Sequence, residues 1–277
     1  MQKKNVQKPR MRPSKVLAKL RAGEIVNCYK INLDSSRVAE IAAMSGFDCI
    51  WTCMEHVLND YGLIERQINA AKAYDTDVLV RVPRGSYSDY IRPLELDASG
   101  IMVPHIMSAA DARNVARMTR FHPVGRRPVD GGNADGQYCR IDYCDYLRQA
   151  NEQRFVIIQI EDPEPMEELD EIAQVKGIDM LFFGPGDFSH GIGAPGEWNH
   201  PRLVEARKLV AQAARRHGKF AGTMATPEKL KDLAAMGYQF LNFGADVTTI
   251  GANCRSTLEA IAGVKTSFKS KSIYGSK

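Results

Sequence analysis

Two carboxylates each follow a short apolar segment that resembles a β-strand. Glu161 comes directly after residues 155–160, and Asp187 follows residues 180–183 with Gly184-Pro185-Gly186 in between. Such continuous apolar runs are typical of buried parallel strands, and in α/β barrels the residues just beyond the C-terminal ends of the strands carry the chemistry. Two acids placed in this way predict an oxygen-ligand site for a hard divalent cation.

An arginine and a glycine add to this candidate site. Arg81 lies within an apolar segment, where an unpaired guanidinium is costly, so it requires an anion, either a protein carboxylate or a bound ligand. Gly186 has no side chain, so ligand atoms could approach the backbone there, and the N–H groups around Asp187 could hold a carboxylate. The alternative, an ordinary tight turn, explains the glycines but not the acid that follows them.

The histidine best placed for proton transfer is His56, which follows the second strand-like segment, residues 49–52. Imidazole titrates near neutral pH, so a histidine at a strand end is suited to acid–base chemistry. His105 also follows a strand-like segment and is a candidate for a supporting role. The other histidines lie at helix ends or in loops and are interpreted as structural: His122, His190, His200 and His217.

The elements that must position these residues alternate between strand and helix. Eight segments have strand-like sequence: 25–29, 49–52, 78–82, 101–103, 155–160, 180–183, 220–223 and 240–243. Segments with helical apolar spacing lie between most of them: 36–44, 64–74, 109–119, 166–175, 203–217 and 227–236. This alternation predicts an α/β protein of the (β/α)8 TIM-barrel type. An open doubly wound sheet would show the same alternation, and the pattern does not exclude it.

Length and composition indicate one large domain. The chain has 277 residues, of which 44% are hydrophobic and 25% charged, so a full core can form. We expect a barrel domain at 17–264, a basic and flexible arm at 1–16 and a polar tail at 265–277. The arm carries six lysines and arginines and no acid, but it lacks interleaved aromatic residues, so we expect no nucleic-acid partner.

Other whole-chain features concern the cellular compartment. No run of about 18 apolar residues predicts a membrane span, and the N-terminus lacks a signal-like apolar stretch, so a soluble, cytoplasmic protein is expected. The six cysteines include no CxxC pair, which predicts reduced thiols and neither disulfides nor zinc sites.

A Gly-rich segment at 124–137 interrupts the alternation. One interpretation is a lid or subunit-contact loop whose arginines face an anionic substrate. The other is a flexible surface loop, and the sequence favours neither.

Four motifs occur in order along the chain: Glu55-His56, Arg81, Gln159-Ile160-Glu161 and Gly184-Pro185-x-Asp187. Together they resemble the HpcH/HpaI aldolase family, the metal-dependent class II pyruvate aldolases of the phosphoenolpyruvate/pyruvate barrel superfamily. The resemblance extends from about Leu17 to Ile261. It implies a carbon–carbon lyase that cleaves or forms 2-keto-4-hydroxy acids through a pyruvate enolate, as a homohexamer with residues 248–264 packed on a neighbouring subunit.

The resemblance also implies roles for single residues. Glu161 and Asp187 would hold Mg²⁺, Mn²⁺ or Co²⁺, and the metal would bind the keto oxygen and carboxylate of pyruvate. Backbone N–H groups near Gly186 and Asp187 would bind that carboxylate. Arg81 would stabilise the enolate oxygen, and Gln159 would orient ligands from the same strand as Glu161.

Proton transfer is where the chain departs from the family pattern. His56 would relay the proton of the C4 hydroxyl group, but Cys53 stands where the family usually has an aspartate. The acid expected to pair with the histidine corresponds to Glu95. The resemblance is therefore least informative about which aldehyde the enzyme prefers.

Several alternatives remain open at this stage. The same enolate chemistry would serve an oxaloacetate decarboxylase or another C–C lyase, and the barrel also hosts acyl-CoA lyases. A Schiff-base aldolase would need a lysine at a strand end, for which Lys30 is the candidate. A non-catalytic barrel that binds pyruvate and a metal is the last possibility.

Overall fold

Eight parallel strands close into a barrel in chain order, with β8 paired back to β1. A computed structural model describes residues 8–264. The strands are β1 (Val26–Lys30), β2 (Cys49–Cys53), β3 (Asp77–Arg81), β4 (Gly100–Val103), β5 (Phe155–Ile160), β6 (Met180–Phe183), β7 (Phe220–Met224) and β8 (Phe240–Ala245). The predicted (β/α)8 TIM barrel is confirmed, and the open sheet is excluded because β1 and β8 are hydrogen-bonded neighbours.

A helix follows every strand, and most of the helices cover the outside of the barrel. They are α1 (Lys15–Arg21), α2 (Ser36–Met44), α3 (Tyr61–Lys72), α4 (Tyr87–Glu95), α5 (Ala109–Thr119), α6 (Tyr143–Gln153), α7 (Leu169–Gln174), α8 (Pro185–Gly191), α9 (Pro201–Arg216), α10 (Leu230–Met236) and α11 (Asp246–Ala262). Helices α2 and α5 have the predicted bounds, because apolar spacing and an N-cap serine mark both. None of the helices in residues 8–264 is long and apolar enough to cross a bilayer.

Large side chains fill the barrel interior. The rings of Trp51 and Phe182 meet edge to face at 5.5 Å, and those of Phe182 and Phe240 at 6.4 Å. This packing is typical of small barrels, whose interior is a core and not a channel. The interior therefore offers no channel, and the C-terminal strand ends form the mouth at which barrels of this type bind their ligands.

The described part of the basic arm is packed on the barrel, contrary to the expectation of a flexible segment. Met11 is 2% exposed, and Arg12 pairs with the buried Asp77 at 2.9 Å. Ser14 donates to Asp77 at 2.6 Å and caps α1 by accepting from the Leu17 N–H. The positive charge that suggested a solvated arm thus neutralises a carboxylate at the N-terminal end of β3. Residues 1–7 and the predicted tail at 265–277 lie outside the described residues.

The Gly-rich segment at 124–137 is neither a lid nor a loose loop. It follows α5, which leads away from the C-terminal strand ends, and it packs at the opposite end of the barrel from the mouth. Arg127 is buried, pairs with the buried Asp135 at 3.0 Å and lies over the Phe121 ring. Tyr146 donates to the same Asp135 at 2.9 Å. The arginine that was expected to face a substrate is therefore used inside the fold.

The cysteines agree with the expectation of reduced thiols. All six are free; three are buried in β1 and β2, and three are exposed: Cys28, Cys49, Cys53, Cys139, Cys144 and Cys254.

Candidate active site

The first predicted metal ligand, Glu161, lies immediately after β5 at the barrel mouth and is 2% exposed. One carboxylate oxygen accepts from the His105 backbone N–H at 2.9 Å, and the other accepts from Gln159 Nε2 at 2.7 Å. Gln159 and Glu161 are two residues apart on an extended chain, so both point to the same side. These two hydrogen bonds hold the Glu161 side chain in one orientation.

The second predicted ligand, Asp187, is reached through the turn after β6. Gly184 precedes α8, and a Cβ at Gly184 would lie 2.6 Å from Glu161 Oε2, so the glycine makes room for the carboxylate. Asp187 is in the first turn of α8. The first backbone hydrogen bond of α8 is donated by the Phe188 N–H to the Gly184 carbonyl. The N–H groups of Gly186 and Asp187 precede it, and the space where a Gly186 Cβ would lie is open.

The charges of the two acids act on each other. The pKa of Glu161 is raised to about 7, mainly by burial and in part by the charge of Asp187, while the backbone hydrogen bond and charge of His105 and the charge of Arg81 oppose this rise. Two carboxylates that repel each other in a partly dry site favour either a shared proton or a cation between them.

Arg81, the last residue of β3, points into the same mouth. Its Nε lies 2.9 Å from Glu55 Oε2, and its guanidinium is 5.1 Å from the Trp51 ring centroid. Nη1 donates to Gln159 Oε1 at 3.4 Å. Cys53 Sγ accepts from Nε at 3.3 Å and from Nη2 at 3.4 Å. The anion that the sequence required is therefore Glu55, whose buried Oε2 has no well-aligned hydrogen-bond donor among residues 8–264.

Two histidines flank Glu55. His56 Nε2 lies 3.4 Å from Glu55 Oε2, and the His56 side chain is 58% exposed. His105 Nε2 lies 3.8 Å from Glu55 Oε1, while its Nδ1 is 2.8 Å from Asp162 Oδ2. Burial lowers the pKa of His105, but the hydrogen bond to Asp162 and the charges of Glu161, Asp162 and Glu55 raise it overall.

Glu95 is not brought to this group of residues. It ends α4, and helices of a barrel run from the mouth toward the opposite end. Burial raises the pKa of Glu95, and the charges around it are those of Arg127, Asp135, Asp130 and Arg92. The expected pairing with His56 is therefore not formed among the described residues, because Glu95 lies on the side of the Gly-rich segment.

Asp162 was not singled out from the sequence, whereas His105 was given a supporting role. Asp162 follows Glu161 directly, and its residue type and position after a strand were the available signal. His105 has a positive φ of 49°, which turns its backbone N–H toward Glu161. Nothing in the local sequence indicates that turn.

A family profile described as HpcH/HpaI aldolase/citrate lyase matches residues 30–252 of the chain. The chain belongs to this family. The match confirms the resemblance carried by the four motifs, and with it the class of enzyme, a carbon–carbon lyase of the aldolase type.

Individual family members are moderately similar to the chain. The 2-keto-3-deoxy-L-rhamnonate aldolase of Shigella sonnei is 32% identical over 230 residues, 82% of this chain and 85% of that protein. The HpcH/HpaI aldolase of Desulfitobacterium hafniense DCB-2 has a TM-score of 0.85 at 28% identity, covering 90% of this chain and 97% of that one. Citrate synthase SbnG has a TM-score of 0.82 at 26% identity, with the same coverage.

Proposed function

We propose that this family member is a divalent-metal-dependent pyruvate aldolase that cleaves 2-keto-4-hydroxy acids to pyruvate and an aldehyde. The observation that carries the proposal is the buried, oriented carboxylate of Glu161 close to Asp187, with Arg81 held beside them through Gln159. In the cleavage, the C4 hydroxyl loses its proton and the C3–C4 bond breaks. The electron pair stays on the pyruvate fragment, whose C3 then takes up a proton.

The donor set fits Mg²⁺, Mn²⁺ or Co²⁺. Within residues 8–264, no three His, Cys, Asp or Glu side chains are grouped as metal ligands. Glu161 and Asp187 would therefore supply two oxygens, and substrate oxygens and water the others, as is usual for Mg²⁺. When bound, the cation would polarise the keto group and stabilise negative charge in the transition state. The open backbone at Gly186 supports binding of the substrate carboxylate at the start of α8.

Arg81 stabilises the negative charge that develops on the keto oxygen during cleavage. Its guanidinium is fixed by Glu55, Gln159 and Trp51 before substrate binds, so little reorganisation is needed. A preorganised donor of this kind contributes about 3 kcal/mol in measured oxyanion sites.

His56 receives the proton of the C4 hydroxyl group and returns it in the reverse reaction. Its exposed ring can reach a substrate at the mouth, and its Nε2 lies 3.4 Å from Glu55 Oε2. His105 is only partly exposed and lies between Asp162 and Glu161, so we assign it a positioning role for Glu161.

Helix α11 supports the proposal of a homo-oligomer. Nearly all of its residues beyond Asp246 are exposed, including large apolar side chains: Val247, Ile250, Leu258 and Ile261. An apolar helix face of this length in water is typical of an interaction surface. We propose that α11 packs on another copy of the chain.

The test is a pyruvate-release assay coupled to lactate dehydrogenase, with a panel of 2-keto-4-hydroxy acids that includes 2-keto-3-deoxy-L-rhamnonate. We expect EDTA to abolish activity and Mg²⁺, Mn²⁺ or Co²⁺ to restore it, while Asp187→Asn stays inactive with every metal. Borohydride with pyruvate should leave the protein unlabelled. Activity that survives EDTA together with covalent labelling would overturn the metal mechanism.

A further inference from the structure

The turn between β4 and α5 carries His105, whose backbone N–H donates to the carboxylate of Glu161 at 2.9 Å. The φ of His105 is 49°, in the left-handed region that is uncommon for residues with a Cβ and costs them free energy. A residue keeps such a conformation only where the surrounding contacts enforce it. The contacts of this turn therefore decide whether Glu161 keeps its orientation.

The peptide group between His105 and Ile106 is hydrogen-bonded at both of its polar atoms. The Ile106 N–H donates to the Gln159 carbonyl at 3.3 Å, which is long for this type of hydrogen bond. The His105 carbonyl accepts from Arg84 Nη1 and has no other donor among residues 8–264. Arg84 therefore supplies one of the two hydrogen bonds that fix the plane of this peptide group.

Asp111, in the first turn of α5, keeps the Arg84 side chain in place. Its Oδ2 accepts from Arg84 Nη2 at 2.5 Å and from the Met107 backbone N–H at 3.2 Å. Arg84 follows β3, so Arg84 and Asp111 form a clamp that joins the loop after β3 to the turn after β4. The Arg84 side chain is 44% exposed, and so open an ion pair contributes little to overall stability. The clamp therefore acts mainly on the local geometry of the turn.

We propose that Arg84 is a positioning residue for metal binding, which acts through the backbone of His105 on Glu161. This inference rests on the proposed function, which makes Glu161 a metal ligand. Without Arg84, the turn relaxes from its positive φ and the His105 N–H moves away. Glu161 then loses one of the two hydrogen bonds that orient it. Groups that orient a metal ligand in this way contribute about 10–100-fold to metal affinity.

The charge of Arg84 by itself predicts the opposite effect. An arginine near the mouth repels a bound cation, so removal of its charge alone would strengthen metal binding. Weaker binding after substitution of Arg84 would therefore identify the geometry of the turn as the cause.

Titration calorimetry of the metal-free protein with Mn²⁺ compares the wild type with Arg84→Met and Arg84→Lys. The matched control is Arg113→Met, which removes an exposed arginine from α5. We expect Arg84→Met to weaken Mn²⁺ binding by about tenfold, and Arg113→Met to bind like the wild type. Arg84→Lys should retain most of the affinity, because an ammonium can still donate to the His105 carbonyl. The melting temperature of metal-free Arg84→Met should stay close to that of the wild type, since the clamp is largely exposed.

Two further measurements test the route through His105. Amide hydrogen exchange of the metal-free protein should be faster in residues 104–108 of Arg84→Met, while β7 keeps its wild-type rates. In the pyruvate-release assay, excess Mn²⁺ should restore kcat, because the groups that contact the substrate are unchanged.

A second variant, Asp111→Asn, removes the anion that holds Arg84 and can still accept from the Met107 N–H. It should also weaken Mn²⁺ binding. The double variant Arg84→Met/Asp111→Asn should bind no more weakly than Arg84→Met, because both changes act through the same clamp. If Arg84→Met does not fold, Asp111→Asn decides the question by the same titration.

Unchanged Mn²⁺ affinity in the clamp variants, an equal loss in Arg113→Met, or additive losses in the double variant would overturn the role of Arg84 while leaving the aldolase intact. A wild type that binds no divalent cation and releases no pyruvate from any substrate would instead refute the proposed function, and this inference with it.

Discussion

Replacing Glu161 with glutamine should stabilise the metal-free protein above neutral pH. Folding raises the pKa of this carboxyl from an ordinary 4.5 to about 7, because burial and Asp187 disfavour its charge. At 1.36 kcal/mol per pH unit, this difference corresponds to roughly 3 kcal/mol. Below pH 4.5 the carboxyl is protonated in both the folded and unfolded states and costs nothing. Between pH 4.5 and about 7 the wild type loses up to this amount of its free energy of unfolding and stays at the lower value above that range, whereas the glutamine variant does not.

Part of this gain in the free energy of unfolding is offset by the loss of a hydrogen bond. Glu161 accepts from the His105 N–H and from Gln159 Nε2, and a glutamine can accept only one of the two unless Gln159 turns its amide around. One lost hydrogen bond costs about 1 kcal/mol. The net gain at pH 8 is therefore about 2 kcal/mol, or roughly 5 °C in melting temperature for a chain of this size.

The assay is thermal and urea denaturation of EDTA-treated protein at pH 8 and pH 5, with the exposed Glu167→Gln as the matched control. Glu161→Gln should be more stable than the wild type at pH 8, and the gain should shrink at pH 5. Adding Mn²⁺ should stabilise the wild type but not Glu161→Gln. If Glu161→Gln is destabilised equally at both pH values, the carboxylate carries no electrostatic penalty and the reasoning fails.

Three further predictions concern neighbouring features. Arg81→Met should lower kcat for pyruvate release by about 10²–10³-fold with little change in metal affinity, and a normal kcat would exclude its role at the oxyanion. Gly184→Ala should displace the Glu161 carboxylate, weaken Mn²⁺ binding measured by calorimetry and cost about 1–3 kcal/mol of stability. Gly186→Ala, where a Cβ meets no atom, is its control and should keep both the fold and the metal affinity. Leu258→Asp on α11 should reduce the sedimentation coefficient without loss of helical circular dichroism, and an unchanged coefficient would show that α11 is not the subunit contact.

The sequence by itself determined the strands that carry the site. The bounds of β5 and β6 match the predicted segments, because strands buried on both faces are short and mostly apolar runs; β5 ends before the charged Glu161 and β6 before Gly184. Glu161 and Asp187 could be paired in advance because consecutive strands of a barrel are neighbours. Helix α1 was missed because its three buried residues lie among basic ones, and only their packing under the barrel reveals the helix.

The tertiary structure decided which side chains face one another at the mouth of the barrel. The family resemblance suggested that Glu95 pairs with His56, but Glu95 ends α4, and a barrel helix carries its last residue away from the mouth. The partner of Arg81 is Glu55, since parallel pairing sets Arg81 level with Cys53 at the end of β2, next to Glu55. The positive φ of His105 and the inward position of Lys30 beside Trp51 depend on barrel closure and register. These are long-range properties, fixed by hydrogen bonds between segments far apart in the chain.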